Sequence, residues 1–208
     1  MSKIKEPFLK RPLDIALSSI MILCSLPVSI PIAIAIKSED KGPVFYRQER
    51  WGRNGTRFKA YKFRTMIQDS DREYGIRQAT ENDPRITRVG RLLRAMGLDE
   101  LPQILNIFVG EMSFVGPRSL AVGEIVKDEK GSVVKYEDIP EFRERLAVRP
   151  GLTGLATIYL PKDVPPGRKF DFDLRYIRNQ SIWLDIRLIA LSFWISFRGK
   201  WETRDEKV

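Results

Sequence analysis

Histidine is missing from this sequence. Imidazole general bases, histidine-containing triads and histidine-ligated zinc are therefore excluded. Cysteine is reduced to one residue, Cys24, inside an apolar run. No disulfide framework can form, which suits a reducing compartment, and the surroundings favour a structural thiol over a reactive one. Acidic residues are in the minority: 27 Asp and Glu face 36 Lys and Arg, a net charge of +9. The natural partners are anions, whether phosphates, nucleotides, nucleic acid or an anionic membrane face. Any chemistry must rest on carboxylates, lysines, arginines, hydroxyls or a hard metal ion. The 208 residues leave room for one domain, or for one domain and an appendage.

Charge is also missing from one long stretch. After Asp14, 22 residues from Ile15 to Ile36 carry none. As straight helix they reach about 33 Å, enough to cross a hydrocarbon core. The run is too long for a signal h-region and has no clear cleavage site, so it reads as a retained anchor. Pro27 and Pro31 sit inside it, each removing a backbone donor. Both flanks are basic, with Lys3, Lys5, Lys10 and Arg11 before and Lys37 and Lys41 after, so the positive-inside rule gives no orientation. Two readings fit: a span kinked at proline, or a helix that dips in, breaks near Pro27 and returns to the same face. The second needs internal partners for the broken backbone, and Ser25 or Ser29 can supply them.

From Gly42 onward the pattern is that of a folded domain. "GPVFYRQERWGRNGTRFKAYKFRTM" alternates around Asn-Gly and predicts two strands joined as a hairpin. "QDSDREYGIRQATENDPRIT" is polar and turn-rich, a surface loop with short helix. Helical periodicity follows on either side of Gly97, with Leu92, Leu93 and Met96 on one face and Leu101, Ile104, Leu105 and Phe108 on another. "YLPKDVPPGRK" predicts a loop. The C-terminal "SIWLDIRLIALSFWISFRGKW" is apolar but interrupted by Asp185 and Arg187. It suits a helix lying in a headgroup layer, or an amphipathic helix of the domain core.

Within this frame one dipeptide stands out. Asp99 and Glu100 precede Pro102, which is tolerated in a first helical turn, so both carboxylates fall at a helix start. The amides and dipole there keep Asp99 ionised and favour a nearby phosphate. Such a dyad is most often simply a charged helix start. Its surroundings argue for more: Lys62 and Arg64 lie in "YKFRTM", Arg85, Arg88, Arg91 and Arg94 in "DPRITRVGRLLR", Arg118 in "GPRS" and Arg149 in "VRPG". Arginines on turns are posed for bidentate phosphate contacts, and a carboxylate among them can attack phosphorus.

The motifs together resemble the monotopic phosphoglycosyl transferases, the bacterial sugar transferase family of polyprenyl-phosphate sugar-1-phosphate transferases. The resemblance runs from Lys10 to about Leu188 through "KRPLD", the hairpin segment, "DPRITRVGRLLRAMGLDELPQILNIFVGEMSFVGPR", "VRPGLTGLA" and "DLRYIRNQSIWLD". It implies an α/β (α+β-like) fold: residues 1–41 as a re-entrant membrane helix broken at Pro27, and 42–208 as a catalytic domain with a C-terminal interfacial helix, at the cytoplasmic face of the bacterial inner membrane. It implies transfer of a sugar 1-phosphate from a UDP-sugar to a polyprenyl (undecaprenyl) phosphate with release of UMP, the first membrane step of polysaccharide or other glycoconjugate synthesis. Asp99 would be the nucleophile and a ligand of Mg²⁺, and Glu100 would position or transfer a proton. Lys62, Arg64, Arg94, Arg118, Arg149 and Asp173 would bind substrate. The bilayer is an implied partner, nucleic acid is not, and the chain would act as monomer or homodimer.

The sequence departs from relatives at three places. Leu26 rather than serine precedes Pro27, Ser119 stands where "GPRP" usually has its last proline, and the stretch after "GLA" is its own. That stretch, notably Lys162 to Lys169, would bear on the sugar. A different class remains open to the sequence: a membrane-tethered module that binds nucleotide or lipid phosphates without turnover.

Overall fold

The computed structural model describes residues 6–70, 83–128, 131–161, 164–199 and 201. It is a mixed helix and sheet structure in which the strands form three separate pairs. Most of the turn-rich segment expected as a loop, 71–82, lies outside the described residues.

Helix α1 covers Lys10–Asp40 and is the one helix among the described residues long and apolar enough to cross a membrane. It passes through Pro27 and Pro31 without a gap, so the break expected at Pro27 is not an interruption of helical structure. Each proline removes only the donor to one carbonyl four residues back, and the ladder on either side survives. Ser25 Oγ donates to the Ile22 carbonyl at 2.9 Å in the turn just before Pro27. Cys24 is exposed on this helix, as are Leu23, Leu26 and Ile30.

Both ends of α1 are built into the domain. At its start, Lys10 is buried and donates to Asp185 Oδ2 at 2.7 Å, Tyr176 Oη at 2.9 Å and the Val115 carbonyl at 2.8 Å. Arg11 donates to the carbonyls of Ile107 and Phe108, and Asp14 Oδ1 accepts from Ser113 Oγ and the Phe114 amide. At its far end, Glu39 accepts from the free amides of Arg88 and Val89, where the next helix begins.

The hairpin forms as the alternation predicts. Strand β1 (Phe45–Trp51) pairs antiparallel with β2 (Arg57–Phe63), Phe45 opposite Phe63 and Trp51 opposite Arg57. Between them Asn54 takes φ 55° and Gly55 φ 78°, the left-handed geometry that Asn-Gly tolerates. Helix α2 (Arg88–Met96) is capped by the Thr87 hydroxyl, which accepts from the Gly90 amide at 2.9 Å. A tight 3₁₀ segment, Leu98–Gln103, then leads into the short helix α3 (Ile104–Val109). The predicted faces are split here: Leu93 and Ile104 are buried, whereas Leu92, Leu105 and Phe108 are exposed. Adjacent helical positions point about 100° apart, and on α2 the core takes Leu93 and leaves Leu92 outside it.

Beyond α3, β3 (Ser113–Val115) and β6 (Gly151–Thr153) form a parallel pair, and β4 (Ile125–Lys127) and β5 (Val133–Lys135) an antiparallel one. The remaining helices are α4 (Phe142–Arg145), α5 (Leu155–Tyr159), α6 (Pro166–Asn179) and α7 (Ile182–Phe197). Helix α6 begins at Pro166, so Pro166 to Lys169 are helical and not part of the predicted loop. Proline is suited to that first position because its missing donor is unpaired there anyway.

The main core gathers Phe58, Ile107, Phe114, Tyr176, Leu188 and Ile195. Helix α7 contributes Leu188 and Ile195 to it while leaving Trp183, Phe193, Trp194 and Phe197 exposed. The reading of this segment as an amphipathic helix of the domain core therefore holds for one side of it, and the other side is exposed. Asp185, which interrupts the apolar sequence of this helix, is the buried partner of Lys10.

Candidate active site

Three chain segments meet at the dyad. The first is β2, which carries Lys62 near its end. Its height is set by Asn106 on α3, a fully buried amide that accepts from the Tyr61 amide at 3.1 Å and donates to the Lys59 carbonyl at 2.9 Å. Asn106 thus extends the hydrogen bonding of β2 sideways onto α3 and places the strand against the dyad. The second segment is the 3₁₀ stretch itself. Gly97, at φ 69°, ends α2 in the left-handed region and swings the chain so that Asp99 and Glu100 follow at once. The third is the turn after β3, where Arg118 sits. A Cβ on Gly116 would come within 2.5 Å of the Arg149 carbonyl, so only glycine lets this turn lie against the 149–151 backbone.

Glu100 Oε1 takes two cations, Lys62 Nζ at 2.5 Å and Arg118 Nη2 at 3.0 Å. Asp99, its neighbour, is buried and accepts no hydrogen bond among the described residues. The two carboxyls are pushed apart accordingly. Burial raises Glu100, but Arg118 and Lys62 outweigh it and hold Glu100 well below the usual carboxylate range. Burial raises Asp99, the negative charge of Glu100 adds to this, and Lys62 and Arg94 offset only part. The expected ionising influence of a helix start is therefore not what governs Asp99: it lies in a 3₁₀ turn beside a second carboxylate. Burial also lowers Lys62, with Glu100 opposing.

The dyad borders a cavity of about 810 Å³. Lys62, Arg64, Arg94, Asp99, Glu100, Arg118 and Asp173 all line it. Arg149 does not: its Nη1 lies 2.8 Å from Glu6 Oε2, and its amide donates to Glu6 Oε1. Of the other arginines near the dyad in sequence, Arg85 is locked in a buried bidentate pair with Asp83, and Arg88 and Arg91 are exposed. Two lining residues escaped sequence reasoning, Arg50 and Arg145. Arg50 is buried and donates to the Ser119 carbonyl at 2.8 Å and to Ser119 Oγ at 2.9 Å. The serine that departs from the usual proline is thus a hydrogen-bond partner. Arg145 pairs with Asp173 at 2.7 Å, so Asp173 faces an arginine rather than standing open. No sequence signal marks either arginine, because each works through a contact many residues away.

The cavity lining also has an apolar part, to which Met21 of α1, Leu98, Leu152, Ile189, Phe193 and Trp201 contribute. One space therefore joins a cationic end, suited to phosphates, to a wall suited to hydrocarbon. Among the described residues no three acidic, histidine or cysteine side chains gather as a metal cage. The Asp99 carboxylate and Glu100 Oε2 are nevertheless oxygens without hydrogen bonds there, and Mg²⁺ is commonly held by one or two carboxylates plus substrate phosphates.

The family model described as bacterial sugar transferase matches residues 5–199. The exopolysaccharide production protein PSS of Rhizobium leguminosarum bv. phaseoli is 42% identical over 186 residues, covering 87% of this chain and 91% of that protein. The UDP-glucose:undecaprenyl-phosphate glucose-1-phosphate transferase of Escherichia coli (strain K12) is 40% identical over 199 residues, 92% of this chain but 41% of that protein. The UDP-N-acetylgalactosamine-undecaprenyl-phosphate N-acetylgalactosaminephosphotransferase of Aeromonas hydrophila is 37% identical over 186 residues, 88% of this chain and 42% of that protein. The chain thus spans nearly all of the first relative and less than half of the other two.

Proposed function

The chain belongs to the bacterial sugar transferases and is an enzyme of the polyprenyl-phosphate sugar-1-phosphate transferase type, and we propose that it transfers the sugar phosphate in two steps with Asp99 as nucleophile. In the first, an Asp99 carboxylate oxygen bonds to the β-phosphorus of a UDP-sugar. The bond from that phosphorus to the bridging oxygen breaks, and UMP leaves with the oxygen and its electron pair. In the second, an oxygen of undecaprenyl phosphate bonds to the phosphorus of the aspartyl adduct, and Asp99 departs as carboxylate. The lipid phosphate is already largely ionised near pH 7, its second pKa being about 6 by analogy with phosphoserine, so no strong base is required.

The observation that carries this reading is the asymmetry of the dyad. Asp99 is free of hydrogen bonds among the described residues, while Glu100 is occupied by Lys62 and Arg118. A nucleophile must be unencumbered, and desolvation strengthens it. Glu100, held strongly ionised by two cations, serves better to position Lys62 and Arg118 than to shuttle protons. Those two, with Arg94, supply positive charge where the diphosphate must lie. Mg²⁺ held by Asp99, with Glu100 Oε2 beside it, would neutralise diphosphate charge as the bond to UMP breaks. The apolar wall from Met21 to Trp201 suits the polyprenyl chain of the acceptor.

The same arrangement supports a seating in the membrane. Both ends of α1 are tied to one domain, and its middle exposes Leu23, Leu26 and Ile30 around Pro27. That favours a segment that enters the bilayer and returns to the cytoplasmic face over one that leaves its far end across the membrane.

The test is incubation of the lipid-free protein with UDP-sugar and Mg²⁺. The two-step reading expects about one equivalent of UMP per site, a mass gain of one sugar phosphate, and discharge of that adduct on adding undecaprenyl phosphate. UMP appearing only with lipid would establish direct attack instead. No UMP under any condition would leave a module that only binds.

A further inference from the structure

Asp173 borders the cavity, yet its carboxylate is already engaged. Its Oδ2 accepts from Arg145 Nε at 2.7 Å and lies 2.7 Å from Arg145 Nη2. Both side chains are buried, and the guanidinium lies over the Phe170 ring at 4.2 Å. Arg145 Nη2 also donates to the main-chain carbonyl of Arg118, at 3.0 Å. One residue on, Arg50 holds the carbonyl of Ser119. Successive peptide groups of the Arg118 turn are therefore gripped by guanidiniums from β1 and α4.

Burying an ion pair is rarely the best way to stabilise a core, since apolar residues of equal volume commonly do as well. What this pair supplies is direction. The Arg118 side chain is about half exposed, at 47%, and its guanidinium reaches Glu100 from a flexible stem. Such a side chain holds one geometry only at an entropic cost unless its root is fixed.

We propose that Arg145, oriented by Asp173, is a positioning residue for phosphoryl transfer: it fixes the Arg118 peptide so that the Arg118 guanidinium stands against Glu100 at the cationic end of the cavity. Asp173 then acts through Arg145 and does not touch substrate. The proposal rests on the phosphoryl-transfer reading above. A misplacement of about 1 Å at a reacting centre can cost about 10²-fold in rate, so a strut of this kind has a large lever.

The experiment is a double-mutant cycle in the full-length, membrane-extracted protein. The probe is whichever of UDP-glucose, UDP-galactose and UDP-N-acetylgalactosamine gives the fastest UMP release with undecaprenyl phosphate and Mg²⁺. Asp173→Asn is expected to lower kcat by about 10-fold or more, with KM moved less than about 3-fold and the melting temperature nearly unchanged. Arg145→Lys should restore little, because one ammonium cannot serve both the carboxylate and the carbonyl as the fork does. In an Arg118→Ala background Asp173→Asn should cost less than about 2-fold, since what it orients is gone. Asp173→Glu, which keeps the charge, runs the same cycle if the Asn variant does not fold. Wild-type kcat in a folded Asp173 variant, or losses that multiply in full with Arg118→Ala, would overturn the proposal. A wild type inactive with all probes would overturn the reaction reading beneath it, and the two failures are distinct.

Discussion

Lys62 Nζ lies 2.5 Å from Glu100 Oε1, and this contact separates two carboxyls that are adjacent in sequence. With Lys62 and Arg118 both committed to Glu100, Asp99 is left desolvated and open to the cavity. Nothing in the order Asp-Glu says which of the two is tied down. The answer lies on β2 and on the turn after β3.

Asp99→Asn should abolish turnover and adduct formation while the protein folds. It should also melt higher at pH 7. The folded state raises the pKa of Asp99, so its contribution to stability is present at low pH and is lost as pH rises through the folded value. At pH 7 the wild type bears the cost of a desolvated carboxylate and the amide does not. Thermal melts of both proteins at pH 7 check the sign; a lower melting temperature for Asp99→Asn would contradict a raised Asp99 pKa in the folded state.

Glu100→Gln has the opposite sign. The folded state depresses the pKa of Glu100, so its stabilisation is present above the unfolded value of 4.5 and fades as pH falls below it. The variant should melt below the wild type at pH 7, and the gap should narrow between about pH 5 and pH 3. A gap that is constant over that range would show that the ion pairs with Lys62 and Arg118 do not set it.

Lys62→Met should lower kcat by about 10²- to 10³-fold, the usual cost of deleting one preorganised donor. Single-turnover UMP release measures it. With Lys62 and Asp99 at one centre as proposed, the loss should appear already in the adduct-forming step and not only in transfer to lipid.

Removing one partner of the Lys10–Asp185 pair should cost about 3–5 kcal/mol, because the other is left charged in a buried site. Asp185→Ala tests this by denaturant titration in detergent. Lys10→Met combined with Asp185→Leu should recover most of the loss, since no charge then remains buried. Equal losses in the single and the double variant would contradict it.

Single cysteines at Phe8 and Ser38, in a Cys24→Ser background, report the course of α1. Both should resist an impermeant thiol reagent in intact spheroplasts and react after permeabilisation. Labelling of either from outside would refute a segment that returns to its own side. Pro27→Leu restores a helical donor and removes a ring clash, together about 3 kcal/mol, and should shift the segment toward a true span.

Much of this was legible in the sequence, for reasons that are local. Asn54-Gly55 marks the hairpin through its own backbone preference. Gly97 and Pro102 bracket the dyad and limit what the chain can do between them. Lys62, Arg64, Arg94 and Arg118 were found because they lie in dense motifs. What stayed hidden depends on distance along the chain. Arg50 and Arg145 look like ordinary surface arginines until β1 and α4 bring them to the backbone at Arg118 and Ser119. Arg149 looks like its neighbours in kind, but Glu6, 143 residues earlier, occupies it. Asp185 reads as a flaw in an apolar helix because its partner Lys10 is 175 residues away.

The bond from Glu39 to the first amides of α2 has a mechanical consequence. Helix α2 ends at Gly97, two residues before Asp99. The proposed nucleophile therefore hangs from a rod whose other end is fastened to the exit of the apolar segment. Headgroup phosphates stand at a set height above the hydrocarbon. If α1 is seated in the bilayer as proposed, its depth acts as a ruler, fixing the plane in which Asp99 meets the lipid phosphate. Reconstitution into bilayers of graded acyl length should then change the lipid-dependent step while leaving UMP release from the soluble donor untouched.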